Sequence, residues 1–151
     1  MSLPDRIYWD SNVFLAWLQS ESGRVAACQS GLDAAQRGDF LIGTSALTIA
    51  ETLWLKKSPR LTKEKAELLN RFFLRSSMRV VNLDRQIAQR AQRLVWESGV
   101  KPKDSVHIAT ALRYRCPVLE TFDKPLIKKG SGLGGVEIRE PQPAAQGILD
   151  I

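Results

Sequence analysis

The chain has 151 residues, 44% hydrophobic and 25% charged, and its 22 Lys and Arg against 16 Asp and Glu leave a formal charge of +6. Length and composition suit a globular domain that buries its own core without disulfides or a structural metal, and they exclude a low-complexity or fibrous chain. The basic excess suits an anionic partner, nucleic acid being the commonest, although runs such as "LKKSPRLTKEK" also read as solvated helix faces.

The opening "MSLPDRIYWD" has no basic region leading into an apolar core, and no uncharged apolar run approaches the roughly 18 residues of a membrane span, so a cytoplasmic location is expected. "RIYW" is a short apolar strand that ends at Asp10, and "NVFLAWLQ" has helical spacing at Phe14, Trp17 and Leu18. A second helix is predicted from Ser22 to Arg37, with Val25, Cys28, Leu32 and Ala35 inward and Gly38 closing it. "FLIG" is the next strand. "TSALTIAETLWLKK" follows as a helix, with Thr44 or Ser45 as its cap and a stop before Pro59.

From Thr62 to about Ser76 a helix carries Ala66, Leu69 and Phe73 on one face, and "RVVNL" supplies a strand. Asp84 caps an amphipathic helix with Ile87, Ala88, Ala91, Leu94 and Val95 inward and Arg85, Gln89, Arg90, Gln92 and Arg93 outward; Gly99 ends it. "DSVHIATALRY" is a helix, "PVLETF" a strand, and "GGVEIRE" a last strand after a glycine-rich turn. The alternation predicts one α/β domain over 1–151 around a mostly parallel sheet, with 140–151 as a loosely attached tail. Cys28 and Cys116 lie outside any CxxC pattern and read as small buried hydrophobes of a reducing compartment.

Acids in apolar surroundings are the informative feature. Asp10 and Asp123 each follow an apolar strand, at the carboxyl edge where open α/β sheets bind ligands. Glu51 borders the inward face marked by Leu47, Ala50 and Trp54, and Asp104 opens an otherwise apolar helix. Each has a plainer reading in isolation. Asp10 can cap a helix, Asp104 can meet a helix dipole, Asp123 can form a turn before Pro125, and Glu51 can pair with Lys56 or Arg60. Together, however, clustered carboxylates repel one another unless a cation neutralises them, and hard oxygen donors select Mg²⁺ or Mn²⁺.

Four stretches, "YWDSN", "TSALTIAE", "KPKDSVHIATAL" and "LETFD", resemble in order and spacing the acidic motifs of the PIN-domain ribonucleases, most of all the small VapC-type toxins of toxin–antitoxin pairs. The resemblance spans about residues 6 to 138. It implies a single PIN-like domain with a central sheet of four to five strands flanked by helices, and a Mg²⁺- or Mn²⁺-dependent endoribonuclease. It assigns Asp10, Glu51, Asp104 and Asp123 to the acidic site, with Asp10 and Asp104 as the chief metal ligands and Ser11, Asn12 and Thr121 supporting them. "DKPL" departs from the more usual acid-then-aromatic ending of the last motif.

RNA as substrate, a cognate antitoxin and a homodimer are the partners implied, with Phe14, Trp17, Trp54 and Leu55 as apolar candidates for the dimer surface. With the four acids set aside, 22 basic residues face 12 acidic ones, a balance of +10 suited to gripping phosphates. His107, the only histidine, falls one turn after Asp104, where it is a candidate general base or ligand, but a metal mechanism does not need it and its apolar neighbours Val106, Ile108 and Ala109 favour a core residue. Trp9, beside Asp10, is the tryptophan placed to stack on a base. Two other functions fit parts of the pattern. One is a nucleic-acid-binding PIN-like module with weak or no catalysis; the other is a phosphohydrolase with Asp10 as nucleophile, which usually wants a second acid where Asn12 stands.

Overall fold

A computed structural model describes residues 5–52 and 61–143. The chain runs β1 (Arg6–Trp9), α1 (Ser11–Leu18), α2 (Val25–Gln36), β2 (Leu41–Ser45), α3 (Ala46–Glu51), α4 (Lys63–Phe73), β3 (Met78–Val81), α5 (Arg85–Ser98), α6 (Pro102–Arg113), β4 (Val118–Glu120), α7 (Lys124–Gly130), a 3-10 turn (Leu133–Gly135) and β5 (Glu137–Arg139). The strands form one sheet in the order β3-β2-β1-β4-β5, with every neighbouring pair parallel. Parallel neighbours need crossover connections, and the helices supply them on both faces of the sheet. No helix among the described residues is long and apolar enough to cross a membrane.

Strand alternation decides which side chain goes where. In β1, Ile7 and Trp9 join a core with Val13, Phe14, Leu32 and Phe72, while Tyr8 points to the opposite face and packs with Ile108, Leu119 and Ile138. Trp9 is fully buried, edge-on to Phe14, and lies so close to α2 that a Cβ at Gly31 would sit 2.8 Å from its ring. Trp9 therefore cannot stack on a base, which corrects that expectation. Phe14 is likewise consumed by the core, and Trp17 packs edge-on against Phe72. The proposed dimer residues Trp54 and Leu55 lie outside the described residues, as do the predicted helix end before Pro59 and most of the tail.

Caps set the element ends much as the sequence predicts. Ser45 accepts from Leu47 N, Thr62 from Lys65 N and Asp84 from Ile87 N, and Gly99 closes α5 in the left-handed conformation. Differences are local. Helix α6 begins at Pro102, so Asp104 lies inside its first turn rather than opening it, and β4 stops at Glu120. Residues after Asp123 form α7 instead of a turn: Asp123 accepts from Leu126 N at 3.2 Å, and Pro125 in the first turn loses no helical hydrogen bond.

Helix α6 ends with Cys116 N on Ala111 O at 2.8 Å and Arg115 N on Leu112 O at 3.1 Å, a pair of bonds that holds Arg115 left-handed at φ 57°. Glycine is the usual residue at that position, and an arginine there costs about 1 kcal/mol. Cys28 and Cys116 are free and buried, and burial pushes both thiols up to about 12, so neither is a ready nucleophile.

Candidate active site

Asp10 is the first residue beyond β1 and the cap of α1, and both of its oxygens are held. One accepts from Ser11 N at 2.7 Å, with the Ser11 hydroxyl at 3.4 Å. The other accepts from the Thr121 hydroxyl at 2.9 Å and from Asn12 Nδ2 at 3.3 Å. Asn12 in turn donates to Thr121 Oγ1 at 2.9 Å and accepts from Phe122 N at 3.1 Å, so the end of β1 is tied to the end of β4. Asp123 N donates to the same Thr121 oxygen at 3.1 Å. Asp10 is 5% exposed, and with both oxygens held its carboxylate cannot swing. Capping a helix and presenting a fixed anion at the sheet edge are thus done by one side chain.

Glu51, the last residue of α3, reaches across to α6 and bonds His107 Nε2 at 2.6 Å; Asp10 Oδ1 lies 3.4 Å from the same nitrogen. Its pairing is with His107, whereas Lys56 and Arg60 lie outside the described residues. On the other side of the ring, Nδ1 meets the Tyr8 hydroxyl at 2.5 Å. Tyr8 arrives there because it alternates with Ile7 and Trp9 in β1, and burial, then Asp10, hold its hydroxyl protonated well above the usual range. Burial pulls His107 toward neutrality, but Asp10 and the Glu51 hydrogen bond outweigh it and raise its pKa. His107 is therefore part of the acidic site and not a plain core residue. Its spacing from Asp104 already put both on one helix face; the partner Glu51, 56 residues away in sequence, was the part no local pattern shows.

Asp104 stands one turn before His107, and its pKa is pushed up to about 6, by burial first and then by Asp10 and Asp123. The sheet edge thus gathers Asp10, Glu51, Asp104, Asp123 and His107 into one electrostatic neighbourhood. Within it, Asp10, Glu51 and His107 each place a ligand atom within 4.8 Å of the others. The carboxylates are hard oxygen donors that fit a small divalent cation, while both ring nitrogens of His107 are already hydrogen-bonded, to Glu51 and to Tyr8. Three of the four acids come from the ends of different elements, which is how a parallel sheet assembles a site from distant segments.

A family model described as "PIN domain" matches residues 7–131. The chain belongs to the PIN domain family. Solved structures with the same fold include a toxin–antitoxin complex from Klebsiella pneumoniae, at 24% identity and TM-score 0.62, covering 91% of this chain and 98% of that one. Another is the sarcin-ricin loop cleaving toxin VapC20 of Mycobacterium tuberculosis, at 15% identity and TM-score 0.66, covering 82% and 95%. A third is VapBC2 from Rickettsia felis bound to a promoter DNA fragment, at 12% identity and TM-score 0.65, covering 91% and 99%. No curated protein matches the sequence.

In this PIN domain a further acid belongs to the neighbourhood of the site without entering it. Glu120 is buried at the end of β4, where it accepts from Trp9 Nε1 at 2.8 Å and lies 3.4 Å from Arg139 Nε, while its backbone oxygen accepts from Asp10 N at 3.1 Å. Burial raises its pKa, and the Trp9 and Arg139 contacts only partly offset this. Glu120 therefore braces the strand ends that carry Asp10 and Thr121. A charge inside an apolar strand was its signal in "VLETF", the same signal that marks Asp10.

Proposed function

We propose that this PIN domain is a divalent-cation-dependent endoribonuclease and the toxin of a toxin–antitoxin pair. The observation that carries the reading is the clasp on Asp10: Ser11, Asn12 and Thr121 fix a buried carboxylate against His107, which Glu51 also bonds, with Asp104 one helical turn away from His107 on α6. Asp10 and Asp104 would be the chief holders of Mg²⁺ or Mn²⁺. Such a cation supplies polarisation of a phosphodiester oxygen and acidification of a water. Asp10 stays in one orientation because Ser11 N holds one of its oxygens and Asn12 and Thr121 hold the other. Glu51, bonded to His107, orients the attacking water and takes its proton, and Asp123 contributes from the α7 cap. The +10 balance outside the four acids holds the RNA phosphates.

The toxin role is supported by the shared fold with solved toxin–antitoxin complexes. An antitoxin with a flexible tail that covers the acidic edge, a homodimer and a cytoplasmic location complete the proposal. The test is cleavage of RNA by the purified protein with Mg²⁺ or Mn²⁺ and with EDTA, alongside co-expression with the neighbouring small gene. Cation-dependent cleavage that the neighbour's product suppresses is the expected result. RNA binding without cleavage under any cation would leave a non-catalytic PIN module instead.

The acidic cluster also sets a pH dependence. Asp104 has a folded pKa above its unfolded one, so its contribution is fully present below about pH 4 and is lost as pH rises through about 6. His107, also raised, contributes below its unfolded value of about 6.5 and loses that as pH rises through its higher folded value. Both push the same way. Thermal melts in EDTA are expected to fall as pH rises from about 4 to about 8, and Mg²⁺ or Mn²⁺ is expected to restore stability mainly at the alkaline end, where the ligands are deprotonated. Cation stabilisation that does not grow with pH would contradict an acidic ligand set.

A further inference from the structure

Helices α5 and α6 enclose a groove of about 430 Å³ whose polar wall is Arg90, Arg93, Arg113 and Arg115 with Gln86 and Gln89. No Asp or Glu lines it, and the ion pairs among the described residues all involve other side chains. Guanidinium groups gathered without acids repel one another, and an anion placed among them relieves that repulsion. Arg115 adds a second observation: it occupies the left-handed position at the end of α6 where glycine would be relaxed, and its side chain lines the groove. Backbone strain at a residue whose side chain enters a basic groove points to a use for that side chain.

Trp96 is the third observation. It is 88% exposed, although a tryptophan of that size is ordinarily buried. It lies one helical turn beyond Arg93 on the face of α5 that carries Gln86, Gln89 and Arg93. That end of α5 leads through Gly99 and Lys101 into α6 and Asp104, while Arg113 marks the other end of α6. The interval from Asp104 to Arg113 is about 13 Å along the helix, roughly four nucleotides of a stacked strand. Guanidinium groups beside an exposed indole suit single-stranded nucleic acid, whose phosphates meet the charges and whose splayed bases stack on the ring.

We propose that the α5–α6 groove together with Trp96 is a second binding site for single-stranded RNA, which holds the strand that flanks the cleaved phosphate. Naming RNA as the ligand rests on the ribonuclease reading above. Arg90, Arg93, Arg113 and Arg115 take backbone phosphates, and Trp96 takes a base.

The test is fluorescence anisotropy of a labelled single-stranded RNA of roughly 20 nucleotides with the full chain over a series of salt concentrations. Arg90→Gln with Arg93→Gln is expected to weaken binding about tenfold near 0.1 M salt and to flatten the salt slope by about 1.4, the loss of two phosphate contacts. Trp96→Ala is expected to weaken it at least about fivefold with little change in slope, and Trp96→Phe to retain most of the affinity. Arg115→Gly is expected to melt at a higher temperature yet bind less tightly, so lost binding there cannot come from unfolding.

Unchanged affinity in these variants overturns the site. A Trp96→Ala protein with altered size and intact RNA affinity does so too, and assigns the face to a protein contact. A dinucleotide, much shorter than the interval of roughly four nucleotides from Asp104 to Arg113, separates the two proposals. If wild type cleaves it and the groove variants bind the long RNA normally, the groove fails alone. If wild type shows the expected binding pattern but cleaves neither RNA, the ribonuclease reading fails alone.

Discussion

Asp10→Asn is expected to lower RNA cleavage on the order of 10³-fold, because it removes the charge that the whole clasp is built to present. Its fold should survive. Asparagine still caps α1 through Ser11 N with its one amide oxygen, at the cost of the hydrogen bonds that Asn12 and Thr121 donate to the other carboxylate oxygen. Without a divalent cation the variant should melt at the same temperature as wild type or slightly above it, since one of several mutually repelling carboxylates is gone. Cleavage gels at matched cation concentration and calorimetric melts measure both. Wild-type turnover in the variant would remove Asp10 from the chemistry.

Trp9→Ala is expected to cost about 3–5 kcal/mol of stability, a drop of roughly 10 °C in Tm for a chain of this size. The indole fills the space opened by Gly31 and packs on Phe14, and its loss also strands the Glu120 carboxylate that its N–H satisfies. Trp9→Phe keeps much of the volume but leaves Glu120 short of a donor, for about 1–3 kcal/mol. Chemical denaturation of the three proteins gives these differences. A Trp9→Ala protein as stable as wild type but weaker for RNA would return Trp9 to a surface role.

Much of this arrangement was legible in the sequence. The acid that ends "RIYW" stands at the sheet edge because a buried strand must deliver its next residue there, and Asp84 and Gly99 bound α5 by local capping chemistry. What escaped was non-local. Trp9 is buried because an α2 glycine lies opposite it, and His107 meets Glu51 because α6 packs on β2, which leads into α3; neither neighbour is close in sequence. Helix α7 escaped for a different reason. In "DKP" the sequence offers a turn as the plainer alternative for Asp123, although an aspartate followed by a proline in the first turn is also a helix start. Asp123 therefore spends one oxygen on Leu126 N, a commitment that Asp10 shares with Ser11 N at the other strand end.

The assignment of Asp10 and Asp104 as the chief cation ligands is tested most directly by anomalous diffraction from crystals soaked in Mn²⁺. One manganese peak within roughly 2.2 Å of an oxygen of each of these two carboxylates is the expected result, with Glu51 and Asp123 reached directly or through water. A peak held by Glu51 and His107 with Asp104 out of reach, or no peak at the sheet edge at all, would contradict it.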